Sequence, residues 1–162
     1  MVVVGLGLLG EALAVQAART WRELRDDDQR PLRVTIVDEQ GEMKAASMRE
    51  RHSELDAVWE LRALDMPPES AAAGAYEIIG DSSELEAPAV AYVCGGDDRS
   101  TLAAGLSLQN SLGNRRIPVV LVLTRSDGLA RLISESGTQT EFENLRAFGL
   151  FDRALTADPW YV

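Results

Sequence analysis

Three glycines, Gly5, Gly7 and Gly10, stand near the start of the chain in the spacing G-x-G-x-x-G. That spacing suits the recognition of a pyrophosphate. Gly5 permits a tight turn, Gly7 lets phosphates approach the main chain, and Gly10 lets a following helix pack closely on the preceding strand. The whole loop, with Leu6, Leu8 and Leu9 between the glycines, is therefore a candidate cofactor-binding segment. A carboxylate, Asp38, closes the next β-branched run (RVTIVD) and is followed by Glu39. In that place a carboxylate accepts hydrogen bonds from both ribose hydroxyls of an adenosine. Two later segments add candidates at the ends of apolar runs: Asp65 with Met66, and Cys94 with Gly95, Gly96 and Asp97. The chemistry that these residue types offer is the holding of a dinucleotide, NAD(H) first, with ATP or ADP as the other choice.

Strands and helices must position these residues. Val2–Val4 is a short β-branched run that leads straight into the loop, and EALAVQAARTWREL after it has the Ala/Leu-rich pattern of a helix. Such a helix start offers unpaired N–H groups and a positive dipole end to phosphates. Residues 33–37 read as a second strand. Asp38 follows Gly10 by 28 residues, more than the usual ~20. The polar stretch RELRDDDQRPL accounts for the excess, by extending the first helix or looping out after it. Helical patterning resumes over 42–55, and a third strand is predicted at 59–64, closing in Asp65. Residues 76–81 (YEIIGD) compete for that role. The earlier register is preferred, because about eight residues separate Asp81 from the next strand, too few for a crossover helix.

Pro67 and Pro68 break regular structure ahead of an alanine run that starts a short helix. The fourth strand is read at 89–94, and a helix over about 99–112 is stopped by Gly113-Asn114. PVVLVLT (118–124) is the continuous apolar run of a strand covered on both faces. A helix opening at Ser126-Asp127-Gly128, another near 141–148 and a short sixth strand around 152–156 complete the reading. The alternation predicts an α/β fold: a Rossmann-like, doubly wound parallel sheet of six strands in the order 3-2-1-4-5-6, with right-handed crossovers.

At 162 residues the chain has the size of one domain with a sizeable core. Sixteen Lys and Arg against 26 Asp and Glu leave a net charge of −10, which repels phosphate backbones and argues against nucleic acid as a partner. One Cys and one His exclude a disulfide framework and a Cys/His zinc site built within one chain. The lone thiol suits a reducing, cytoplasmic setting, and no apolar run approaches the ~20 residues of a membrane span. The first strand is shorter than the usual ~5–6 residues. The expectation is one nucleotide-binding domain over residues 1–162, excised from a longer protein.

Catalytic groups are scarce. His52 lies in a charged helical stretch (RERHSEL) and reads as a solvated helix residue. Cys94 reads as a small buried hydrophobe ahead of a redox-sensitive thiol. The pair Asp97-Asp98 is read first as helix caps and second as a contact to an ion or ligand. Tyr92 has no lysine four residues on, since residue 96 is Gly, and LTRSDGL is not a P-loop. With all six strands used by the nucleotide fold, no substrate region remains, and the expectation is a protein that is not an enzyme on its own.

At this point the chain resembles the TrkA-N, or RCK, domains, which regulate potassium channels and transporters. The resemblance runs through Val2–Gly10, Asp38, the segment CGGDDRSTLAAGLSLQ, the segment IPVVLVLTRSDGLARLI and the closing AFGLFDRAL, in that order over nearly the whole chain. Two departures are Thr101, where the family often has Asn, and residues 66–88, which lack a clean G-D-A/S-T. The resemblance implies regulation by NAD(H) or an adenine nucleotide. Its partners would be a second copy of the chain and a membrane channel or transporter, or a further domain of the same polypeptide. It also implies a cytoplasmic place, at the membrane face only through such a partner.

The alternative is the cofactor half of an NAD-dependent oxidoreductase. Two apolar stripes, Leu102, Leu106, Leu108 and Leu112, and then Leu129, Leu132 and Ile133, are expected either to serve a twofold contact or to pack on the sheet. Asp38 is expected to select against a ribose 2′-phosphate, with Arg33 and Arg49 the nearest basic residues able to oppose it.

Overall fold

The computed structural model describes residues 1–24, 30–71, 73–74, 88–113, 115–125 and 144–149. Six strands form one parallel sheet: β1 (Val2–Val4), β2 (Leu32–Asp38), β3 (Trp59–Asp65), β4 (Ala91–Val93), β5 (Val119–Leu123) and β6 (Leu145–Gly149). Their order is β3-β2-β1-β4-β5-β6, the doubly wound Rossmann-like order expected from the sequence. Three helices are described: α1 (Leu8–Leu24), α2 (Gly41–Arg51) and α3 (Asp98–Leu112). Among the described residues, no helix is long and apolar enough to cross a membrane.

Three valines suffice for β1 because it is central. Each is 1% exposed or less, and successive side chains point to opposite faces. Val2 and Val4 join a core with Ala104, Leu108 and Leu112 of α3 and with the interior of β5. Val3 joins a second core with Ala14, Val15 and Ala18 of α1 and Ala45 and Met48 of α2. Helices therefore cover both faces, and the site lies at one end of the sheet. On α3, a Cβ at Gly105 would overlap the Leu121 side chain, so a glycine in mid-helix lets α3 sit close on β5.

The preferred register of the third strand is the one found. Leu32 pairs with Trp59 at one end of β2–β3 and Asp38 with Asp65 at the other. The polar excess before β2 is partly absorbed by α1, which runs to Leu24. The helical reading of 42–55 breaks in two, with α2 ending at Arg51 and a single 3-10 turn over Ser53–Leu55. After Pro67 the described residues make another 3-10 turn, Pro68–Ser70.

The end of the described chain needs correction. The helix expected near 141–148 is not found over its second half, where Leu145–Gly149 is β6, paired with β5 from Val119–Leu145 to Leu123–Gly149. Local propensity favoured a helix in EFENLRAF, but the exposed edge of β5 supplies a full ladder of hydrogen-bond partners, and tertiary pairing wins. The last observed strand therefore lies earlier than the 152–156 predicted, which fall outside the described residues. So do residues 76–81 and the helix expected after Ser126.

Candidate functional site

β1 ends between its two neighbours. Gly5 N donates to Val37 O at 2.8 Å, and Cys94 N donates to Val4 O at 2.8 Å. Here the strand order reverses, β2 and β3 leaving on one side and β4 to β6 on the other, and the carboxyl ends of β1 and β4 stand where doubly wound sheets open a crevice. The glycines around it divide into three kinds. Gly5 has φ +87°, and a Cβ there would overlap the Cys94 carbonyl oxygen. A Cβ at Gly10 would overlap the Gly5 carbonyl and stand 3.1 Å from Val3 Cγ1. Both are demanded by the fold. Among the described residues, Gly7 and Gly96 have nothing within 4 Å of a Cβ, and both lack a positive φ, so the described packing gives no reason for either. Gly95 is different again, since a Cβ there would stand 2.6 Å from Thr101 Oγ1.

The two helices that start at the crevice differ in their caps. Gly7 O accepts the first helical bond of α1 from Glu11 N at 3.0 Å, and a glycine has no side chain to cap with. The N–H groups of Leu8, Leu9 and Gly10 meet no acceptor among the described residues. On α3, Asp97 Oδ1 accepts from Arg99 N and Ser100 N, both at 2.9 Å. A carboxylate already satisfies the dipole of α3, while α1 keeps free donors for an anion. Of the residues between the glycines, Leu6 is buried in the α1/α2 core. Leu8 is 92% exposed, and it lines a groove of about 490 Å³ with Glu11, Arg51 and His52 at the end of α2. Its side chain belongs to that groove.

Asp38 lies at the crevice with its carboxylate engaged. Oδ2 accepts from Leu6 N at 2.8 Å, and Oδ1 accepts from Gln40 N at 3.1 Å and from Lys44 Nζ at 2.7 Å. Burial opposes ionisation of Asp38. The hydrogen bonds from Lys44, Gln40 and Leu6, with the Lys44 charge, outweigh it and hold the carboxyl below its ordinary value. Lys44 was missed in the sequence. Its signal was its position in the first turn of α2, six residues beyond the acid. Arg49 points elsewhere, to Leu61 O at 2.6 Å. Asp65, exposed beside Asp38 in the sheet, accepts from Glu42 N at 2.8 Å and so caps α2. Met66 N donates to Asp38 O at 3.0 Å, and Glu39 is exposed.

On the β4 side, Cys94 is buried and the loss of water pushes its thiol up to about 12, as a core residue rather than a nucleophile. Asp97 caps α3, and its carboxyl is lowered by the hydrogen bonds of Ser100 and Arg99. Asp98 braces α3 to β5. It accepts from Thr124 N at 2.6 Å, Thr124 Oγ1 at 3.1 Å and Arg125 N at 2.8 Å. The capping reading holds for Asp97 and not for Asp98, whose carboxylate reaches the end of a different strand. Among the described residues, no group of three or more His, Cys, Asp or Glu could hold a metal ion.

His52 is not the solvated residue expected. It sits half-buried at the end of α2, with Nε2 3.3 Å from Glu11 Oε1 and its ring edge-on to Trp59 at 6.4 Å. On α3, Leu108 and Leu112 are buried, and Leu102 and Leu106 pack against the same core. Leu108 and Leu112 thus cover the sheet, as the packing alternative expects, while Leu102 and Leu106 are half-buried at its margin. Leu129, Leu132 and Ile133 lie outside the described residues. Comparison with family models, with curated proteins and with solved structures found no match.

Proposed function

We propose that this chain is a regulatory nucleotide-binding domain that holds NAD(H), or an adenine mononucleotide, at the crevice between the ends of β1 and β4. The observation that carries the reading is the pair Gly7 and Gly96: glycines with ordinary backbone angles and no described residue within 4 Å of a Cβ, on the two loops at the strand reversal. A ligand approaching the main chain is a reason for a missing side chain at such places. The start of α1 supports it, because phosphates would meet donors that no described residue takes.

Regulation is favoured over catalysis by the state of the groups at the crevice. The Cys94 thiol is un-ionised at neutral pH, and the carboxylates of Asp97 and Asp98 are committed to main-chain donors. The resemblance to TrkA-N domains extends the proposal to a potassium channel or transporter, governed through ligand-dependent packing of two such domains. Differential affinity of the nucleotide for two arrangements would drive the change.

Titration of the purified chain with NADH, NADPH, ATP and ADP, followed by calorimetry, tests the site. Saturable binding that alanine at Gly7 weakens supports it, and no saturation by any of the four refutes it. Light scattering with and without NADH tests the assembly. A monomer in both states at concentrations above ~100 µM removes the intrinsic dimer. Hydride exchange between bound NADH and a small carbonyl compound would favour the oxidoreductase alternative.

A further inference from the structure

We infer that Lys44 sets which ribose the site accepts: it occupies the Asp38 oxygen that a ribose 2′-hydroxyl uses, and it offers its ammonium to a ribose 2′-phosphate. The inference rests on the nucleotide reading above and deepens it. An ionised carboxylate has about four acceptor positions. In Asp38 three are filled, by Leu6 N, Gln40 N and Lys44 Nζ. The first two donors are main-chain groups, fixed by the glycine loop and by the turn into α2. The third sits on a flexible stem whose side chain is 35% exposed. A ribose diol that bonds through both hydroxyls takes two acceptor positions. Lys44 is the donor that can leave.

The displaced ammonium stays tethered to the first turn of α2, beside the same edge of the ribose. A 2′-hydroxyl gives it a neutral acceptor there. A 2′-phosphate gives it a charge-assisted bond of about twice the strength. Asp38 alone would repel that phosphate, whereas Asp38 with Lys44 is a pair of zero net charge. The neighbouring carboxylates of Glu39, Glu42 and Asp65 oppose a phosphate in every variant, so they cancel from a comparison at residue 44. Removing the ammonium should therefore help a hydroxyl and harm a phosphate.

The test is calorimetric titration of the whole chain with NAD⁺ and NADP⁺, for the unaltered protein, Lys44→Met and Lys44→Arg. In Lys44→Met the ratio Kd(NADP⁺)/Kd(NAD⁺) should rise by about tenfold or more, while Lys44→Arg, which keeps the charge, should hold it within about threefold. A merely structural lysine would weaken both ligands alike and leave the ratio unmoved. A ratio in Lys44→Met that falls, or stays within about twofold, overturns the inference and leaves the nucleotide site standing. Failure of the unaltered chain to bind either dinucleotide overturns both. Should Lys44→Met unfold, Lys44→Gln gives the same ratio test.

Discussion

Alanine at Gly7 separates binding from folding. Its Cβ would meet nothing within 4 Å, and the backbone there lies outside the left-handed region. Two small effects act on stability in opposite directions. Alanine is a poorer cap than glycine, and it reduces the freedom of the unfolded chain by about 0.4–1 kcal/mol. The net change should stay within about 1 kcal/mol, or roughly 2–4 °C in Tm for a chain of this size. The same methyl stands where a pyrophosphate would touch the main chain, and NADH affinity should fall at least about tenfold, or ~1.4 kcal/mol. Gly10→Ala makes the contrast. Its Cβ would overlap the Gly5 carbonyl and press on Val3, and stability should fall by about 2–3 kcal/mol. Urea unfolding measures the first quantity and calorimetric titration the second. Undiminished NADH affinity in Gly7→Ala would refute the site. A loss of stability equal to that of Gly10→Ala would refute the argument from open space.

Other expectations follow from single contacts. Asp38 has a lowered carboxyl in the fold, so the folded state releases its proton more readily than the unfolded chain. Its contribution to stability is full above the unfolded value near ~4 and is lost as pH falls through the folded one. Asp38→Asn should flatten the decline of urea midpoint as pH falls below about 4, and an unchanged slope would speak against the carboxylate network. Asp98→Ala removes acceptors from Thr124 N, Thr124 Oγ1 and Arg125 N and should lower stability by about 2–3 kcal/mol. A loss below about 0.5 kcal/mol would mean the brace is replaced by water. Cys94, with its thiol pushed up to about 12, should resist Ellman's reagent in the native chain at pH 8 and react promptly in guanidinium. Rapid native labelling would contradict its burial.

The strand–glycine–helix opening, the acid closing β2 and the alternation of elements were readable because they depend on short-range rules: turn geometry at Gly5, side-chain period, and capping by Asp97. Those rules reached as far as the strand order, since right-handed crossovers leave few ways to wind six parallel strands. They did not reach β6. Leu145–Gly149 becomes a strand because the edge of β5 is waiting for it, and nothing local in LRAFG says so. Nor did they reach the site's electrostatics. Lys44 meets Asp38 only because the turn at Gly41 folds α2 back over the ends of β2 and β3, where a Cβ on Gly41 would stand 2.8 Å from Leu64 O. The same folding brings His52 onto Glu11, 41 positions away in sequence. Sequence spacing fixes what a residue can donate or accept; the packing of helix on sheet decides which partner takes it.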